Sequence, residues 1–143
     1  MVVSHDELLQ MARDVMKNAY CPYSKFPVGA ALLTDDDTVI LGVNCENASY
    51  GGTICAERAA VTSAVTRGYR KFRAIAIATE MDELVYPCGI CRQFLMEFGD
   101  IQVILGSSLG KSTSYSSIMD LLPYAFTPKS LGKHASKSDS VEK

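Results

Sequence analysis

Three cysteines and one glutamate of this chain stand where they could hold a metal ion and move protons beside it. Cys88 and Cys91 fall in Pro87-Cys88-Gly89-Ile90-Cys91; on the first turn of a helix their sulfurs would share a face and bite one ion. Cys55 opens Cys55-Ala56-Glu57-Arg58. It would bring the thiolates to three and leave the fourth tetrahedral position of a zinc ion to water, the arrangement of catalytic rather than structural zinc. Glu57 follows two residues after Cys55, about 200° round an ideal helix. It reaches the same pocket only if the helix begins at Cys55 and its end points at the metal. A carboxylate kept off the metal is free to work as general acid and base. A lone C-x-x-C would fit a redox dithiol, half a structural zinc site or two buried cysteines equally well. The upstream Cys-Ala-Glu, Pro87 before Cys88, and Arg92-Gln93 after Cys91 favour the catalytic reading.

Three thiolates overcompensate a divalent ion by one negative charge, which weakens it as a Lewis acid. Two features offset this. Both cysteine motifs sit where helices start, and helix N-termini favour anions. Arg58 is three residues after Cys55, on the same helical face, and can donate to a thiolate. Gln93 is a weaker candidate for supporting the ligands.

With these residues in view the chain resembles the small zinc-dependent cytidine deaminases that work as homotetramers. The resemblance runs from about Pro22 to Pro128. It rests on Pro22-Tyr23-Ser24-Lys25-Phe26-Pro27-Val28-Gly29-Ala30-Ala31, Asn44-Cys45-Glu46-Asn47-Ala48, the two cysteine motifs, and Leu121-Leu122-Pro123-Tyr124-Ala125-Phe126. It implies one zinc per chain, held by Cys55, Cys88 and Cys91. The implied activity is hydrolysis of cytidine and deoxycytidine to uridine and deoxyuridine with release of ammonia, as in pyrimidine salvage. Zinc-bound hydroxide would attack, with Glu57 shuttling protons between the water, ring N3 and the exocyclic amine. By the same resemblance Phe26 is the aromatic wall of the base pocket, Asn44 and Glu46 bind the ribose, and the backbone of Ala56 reads the pyrimidine edge. Asn44 and Glu46 are alternate residues leaving a strand, which fits a shared direction. Tyr50 and Phe126 match residues lent across a subunit interface, so the partners implied are a pyrimidine nucleoside and further copies of this chain. Cys21 and Cys45 are read as structural. Gly51-Gly52 falls where the family varies. Two rivals remain: another small-molecule deaminase of the blasticidin type on the same scaffold, and a non-catalytic zinc module closed by a fourth ligand such as Cys45.

Composition narrows the field. The net charge of −2 and the absence of a Lys/Arg block argue against nucleic-acid binding. No run of 18 apolar residues suggests a membrane span, and the N-terminus is polar and amphipathic rather than a signal segment. Five cysteines, an odd number, favour reduced thiols in the cytoplasm over a disulfide framework. The two histidines, His5 and His134, stand in no zinc motif, which tells against deaminases that begin their site with His-x-Glu.

The elements that must position these residues follow from periodicity and punctuation. A capping box at Ser4-His5-Asp6-Glu7 and helical spacing of Leu8, Leu9, Ala12, Val15, Met16 and Ala19 predict a helix over 4–19. Strands are expected over 28–33 and 39–43, joined at Asp35-Asp36-Asp37 as a hairpin whose acidic turn is solvated. A helix is expected over 55–66, a strand over 74–78, a helix from Pro87 to 98 and a strand over 101–105. A weak fifth strand over 113–115 and a short helix over 117–122 complete the pattern. This alternation predicts one domain over 1–128, a three-layer α/β/α cytidine-deaminase-like unit on a mixed five-stranded sheet. The Ser- and Lys-rich stretch 129–143 reads as a disordered tail outside the chemistry.

Overall fold

The computed structural model describes residues 2–107 and 113–133. Ser4 starts the first helix, its hydroxyl accepting from Glu7 N at 3.1 Å, and α1 runs His5–Val15 with Leu8, Leu9 and Ala12 buried. The helix stops earlier than its apolar spacing predicts and tightens into a 3-10 turn over Met16–Asn18. Tertiary pairing is the competitor. Tyr20 N donates to Asn44 O at 2.9 Å and Tyr20 O accepts from Glu46 N at 2.8 Å, drawing the chain out of the helix before Pro22.

Five strands follow: β1 Val28–Thr34, β2 Val39–Val43, β3 Phe72–Thr79, β4 Gln102–Gly106 and β5 Thr113–Ser117. Their order is β2-β1-β3-β4-β5. β3 and β4 are parallel and every other pair is antiparallel. The sheet is therefore mixed and five-stranded, as expected. The one parallel pair needs a crossover, which α3 (Gly89–Met96) provides. Two further helices are α2 (Ala56–Thr66) and α4 (Ile118–Leu121).

Side chains alternate across the sheet with period two, and the sequence of β3 shows it plainly. Ala74, Ala76 and Ala78 face α1 together with Ala31 and Leu33. Ile75 and Ile77 face the other layer, with residues of α2, α3 and α4 such as Val61, Leu95 and Ile118. At two glycines a helix lies directly on strand backbone. A Cβ at Gly42 would stand 2.5 Å from Ala56 O and Ala60 N, and one at Gly29 would stand 2.0 Å from Ala12 O.

Register decides where the site falls. Val28 pairs with Thr79 and Gly29 with Val43, so the start of β1 and the ends of β2 and β3 meet at one margin of the sheet. Residues 128–133 are helical, so the helix takes in 129–133, the beginning of the stretch expected to be a disordered tail. Residues 134–143 lie outside the described residues. Among the described residues no helix is long and apolar enough to cross a membrane.

Candidate active site

Cys55 and Cys88 are the N-cap residues of α2 and α3, both with extended backbone, and neither sulfur caps a backbone N–H. The sulfurs are thus left for other work. Helix α3 begins at Gly89, two residues later than expected from Pro87, with Cys88 as its N-cap. Cys91 lies in its first turn and is buried. The three sulfurs all lie within 4.8 Å of one another. Tetrahedral zinc with sulfur at about 2.3 Å spaces its ligands about 3.8 Å apart, so the donor set and its span fit zinc. Among the described residues no other group of metal-ligating side chains gathers this closely. Cys45 is exposed and Cys21 half-buried; Cys45 forms backbone bridges with Tyr20 and Ile54. Neither joins the cluster, which removes the reading in which Cys45 closes a structural zinc site.

The sulfurs behave as one electrostatic unit. The Cys55 thiol is held down to about 5, first by a hydrogen bond from Cys91, with Arg58 adding to the effect. Cys91, the donor of that bond and surrounded by protein, is pushed well above the usual thiol range. The first thiolate is stabilised and the next is costly, which is the imbalance a divalent cation offsets. Arg58 Nη2 donates to Cys55 Sγ at 3.3 Å and to Thr53 O at 3.5 Å.

Glu57 follows Ala56 in the first turn of α2 and is 5% exposed. Burial raises its carboxyl above the ordinary value, with the charge of Cys55 pushing the same way. An acid with raised proton affinity beside the ligand cluster suits general acid–base work.

These groups open into a cleft of about 450 Å³. Phe26, Asn44, Glu46, Ala56 and Glu57 line it with Cys55 and Cys88. A larger hollow of about 670 Å³ runs along the outer face of α3, lined by residues such as Ile90 and Phe94. It holds neither thiolate nor buried acid, so the chemistry belongs to the smaller cleft. Asn44 clamps its own wall: Nδ2 donates to Phe26 O at 2.8 Å and Oδ1 accepts from Val28 N at 2.9 Å. One amide hydrogen and one lone pair remain. Tyr50 is 74% exposed and outside the cleft. It meets Tyr23 edge-on at 5.7 Å, over an adjoining hollow that shares Ser24, Glu46 and Thr53 with the cleft. Phe126 is 58% exposed and likewise outside it.

Gln93 requires a correction. Its Nε2 donates to Phe126 O at 2.7 Å, so the side chain secures the C-terminal segment rather than a thiolate. The residue before it supports the ligand loop instead. Arg92 Nε donates to Pro87 O and Nη1 to Leu121 O, each at 2.8 Å, fixing the peptide that precedes Cys88. Sequence reasoning also passed over Ser24, Thr53 and Tyr86, which line the cleft. The Pro-Tyr-Ser-Lys turn was the available signal for Ser24.

A family model for the cytidine and deoxycytidylate deaminase zinc-binding region matches residues 2–107. A probable cytidine deaminase of Dictyostelium discoideum is 46% identical over 127 residues, spanning 88% of this chain and 86% of that protein. The cytidine deaminase of Sporosarcina psychrophila is 42% identical, spanning 88% and 93% respectively. The crystal structure of cytidine deaminase from Burkholderia pseudomallei aligns with a TM-score of 0.83 and 45% identity, covering 86% of this chain and 99% of that one. Fold and donor set define a zinc hydrolase. More narrowly, this chain belongs to the cytidine and deoxycytidylate deaminase family.

Proposed function

We propose that this protein deaminates cytidine and deoxycytidine hydrolytically, giving uridine and deoxyuridine and releasing ammonia. The observation that carries the reading is a buried carboxylate, Glu57, on the helix start that also bears one of three clustered thiols. Cys55, Cys88 and Cys91 would hold zinc, one ion per chain, which would supply a water acidic enough to lose its proton near neutral pH.

Glu57 takes up that proton at its carboxylate and delivers it to ring N3, which draws electron density from C4. As the water oxygen bonds to C4, Glu57 moves the remaining proton of that oxygen to the exocyclic amine, and the C4–N bond breaks with departure of ammonia. Because Glu57 lies off the ligand set, its oxygens stay free for both transfers. Arg58 and the N-termini of α2 and α3 offset the surplus negative charge of three thiolates.

At the other end Phe26 forms the wall for the base, Asn44 and Glu46 take the ribose hydroxyls, and Ala56 presents backbone to the pyrimidine edge. Their common position around the cleft supports this assignment. Tyr50 and Phe126 serve neighbouring copies in a homotetramer with shared sites; that both large aromatics are exposed and outside this chain's own cleft supports it. We place the reaction in cytoplasmic pyrimidine salvage, since thiolate ligands call for a reducing compartment. The direct test is ammonia release from zinc-loaded protein on addition of cytidine. Zinc-loaded, folded protein that releases none overturns the reading.

A further inference from the structure

Among the described residues, the hydrogen bonds that Glu46 accepts come from one turn. Tyr23 N and Ser24 N each donate to Oε1 at 3.0 Å, and the Ser24 hydroxyl donates to Oε2. The same Ser24 oxygen accepts from Phe26 N at 3.0 Å. A hydroxyl has one hydrogen and two lone pairs, so it can serve both neighbours at once. The turn is shaped for this. Lys25 between them adopts φ +57, a left-handed conformation uncommon for a side chain of its kind, and its N–H closes on Cys21 O at 3.0 Å. Phe26 is tied on its far side to Asn44, through Phe26 O at 2.8 Å. Glu46, Ser24, Phe26 and Asn44 therefore form one connected wall of the cleft.

We propose that Ser24 is a positioning residue for nucleoside binding, its hydroxyl fixing the Glu46 carboxylate toward the sugar. The inference rests on the ribose reading of Glu46. With Oε1 holding two N–H groups, Oε2 keeps one lone pair for a sugar hydroxyl, and the Ser24 hydroxyl on its other lone pair keeps it from rotating away. Among the described residues the side-chain bonds of Ser24 go to Glu46 and Phe26, not to the reacting end. Loss of the hydroxyl should therefore appear in binding and not in turnover.

The test compares zinc-loaded Ser24→Ala, Ser24→Thr, Glu46→Gln and the Ser24→Ala/Glu46→Gln double variant, with cytidine and 2′,3′-dideoxycytidine as substrates. Ser24→Ala should raise KM for cytidine by about tenfold, the size of one charge-assisted hydrogen bond. Turnover should stay within about threefold and zinc at one per chain, since Ser24 touches no ligand. Ser24→Thr, which keeps the hydroxyl, should restore KM. The dideoxy analogue, which lacks the 2′- and 3′-hydroxyls proposed to face Glu46, should respond far less to Ser24→Ala. In the Glu46→Gln background Ser24→Ala should add little, the signature of a residue acting through another. Additive effects in the double variant, or equal KM changes for both substrates, overturn the proposal while leaving Glu46 as a ribose contact. A fall in turnover with loss of zinc assigns Ser24 to structure and overturns it as well. If Glu46→Gln leaves KM for cytidine unchanged, the ribose reading falls and takes the proposal with it.

Discussion

The two ends of the cleft are built on different plans. At the reacting end Cys55, Glu57, Cys88 and Cys91 all stand within one turn of a helix start. Short-range geometry fixes them, and α2 rests on the backbone of β2 at Gly42 with no side chain between. At the sugar end Ser24, Phe26, Asn44 and Glu46 come from a turn and a strand end, held by hydrogen bonds that span sixteen to twenty-three residues of sequence. A site made from helix starts leaves little positional slack for groups that move protons. A wall made from hydrogen bonds can be retuned one residue at a time. Substitutions at the first end should act on turnover, and those at the second on KM.

The largest effect should come from the ligands. Cys88→Ala should lose zinc and, with it, measurable activity, whereas Cys21→Ala and Cys45→Ala should keep both; metal analysis beside an ammonia assay checks this. A Cys88→Ala protein with full zinc would falsify the ligand assignment. Glu57→Gln should retain zinc and fold while turnover drops by at least ~10²–10⁴, the usual worth of general acid–base catalysis. Activity within tenfold of the parent would hand the proton to some other group and erase the contrast between the ends.

At the sugar end Glu46→Gln should raise KM for cytidine by about ten- to a hundredfold, as expected for a charged hydrogen bond, with turnover little changed. Nucleosides should outcompete free cytosine and cytidine monophosphate, because a carboxylate disfavours a nearby phosphate; equal turnover of cytosine and cytidine contradicts this. The Glu46 carboxyl lies below the usual range, chiefly through the Ser24 hydroxyl. It stays ionised above the ordinary glutamate value and takes up a proton only as pH falls through its lowered one. KM for cytidine should therefore hold steady as pH falls from about 7 to the ordinary glutamate value of about 4.3, and a rise centred on that ordinary value shows the carboxylate is not held. Phe126→Ala should cost little stability, since the ring is exposed, yet weaken assembly and raise KM; sedimentation with kinetics separates this from loss of a core residue. Gly42→Ala touches the reacting end from below, because a Cβ there would stand 2.5 Å from Ala56 O, between Cys55 and Glu57. Pushing α2 off β2 should cost about 1–3 kcal/mol, read by denaturant unfolding, and lower turnover.

The same contrast explains what could be read from the chain. The sheet, its hairpin and the helix starts were legible because alternation in β3, the capping box and the two cysteine motifs are local signals. The ligand cluster was legible for the same reason. Gln93 was misplaced although helix geometry held the answer. It follows Cys91 by two residues, about 200° round the helix, and so faces away from that ligand, toward Phe126. The link from Ser24 to Glu46 left no periodic trace, since it joins residues twenty-two apart through side chain and backbone. The overrun of α1 has a similar origin: the spacing of Val15, Met16 and Ala19 continues a helix, and the pairing of Tyr20 with Asn44 and Glu46 overrides it.

The cysteine cluster also joins two distant parts of the chain, because Cys55 starts α2 and Cys88 starts α3 with all of β3 between them. An unfolded chain has no such gathered sulfurs, so zinc binds the folded form preferentially and folding becomes linked to metal supply. Free zinc at a hundred times its dissociation constant adds about 2.7 kcal/mol to stability, a large share of what holds a domain of this size together. Melting temperature should then track zinc concentration. In a zinc-poor cell the enzyme would disappear through clearance of unfolded chains, and its abundance, as well as its activity, would report the metal.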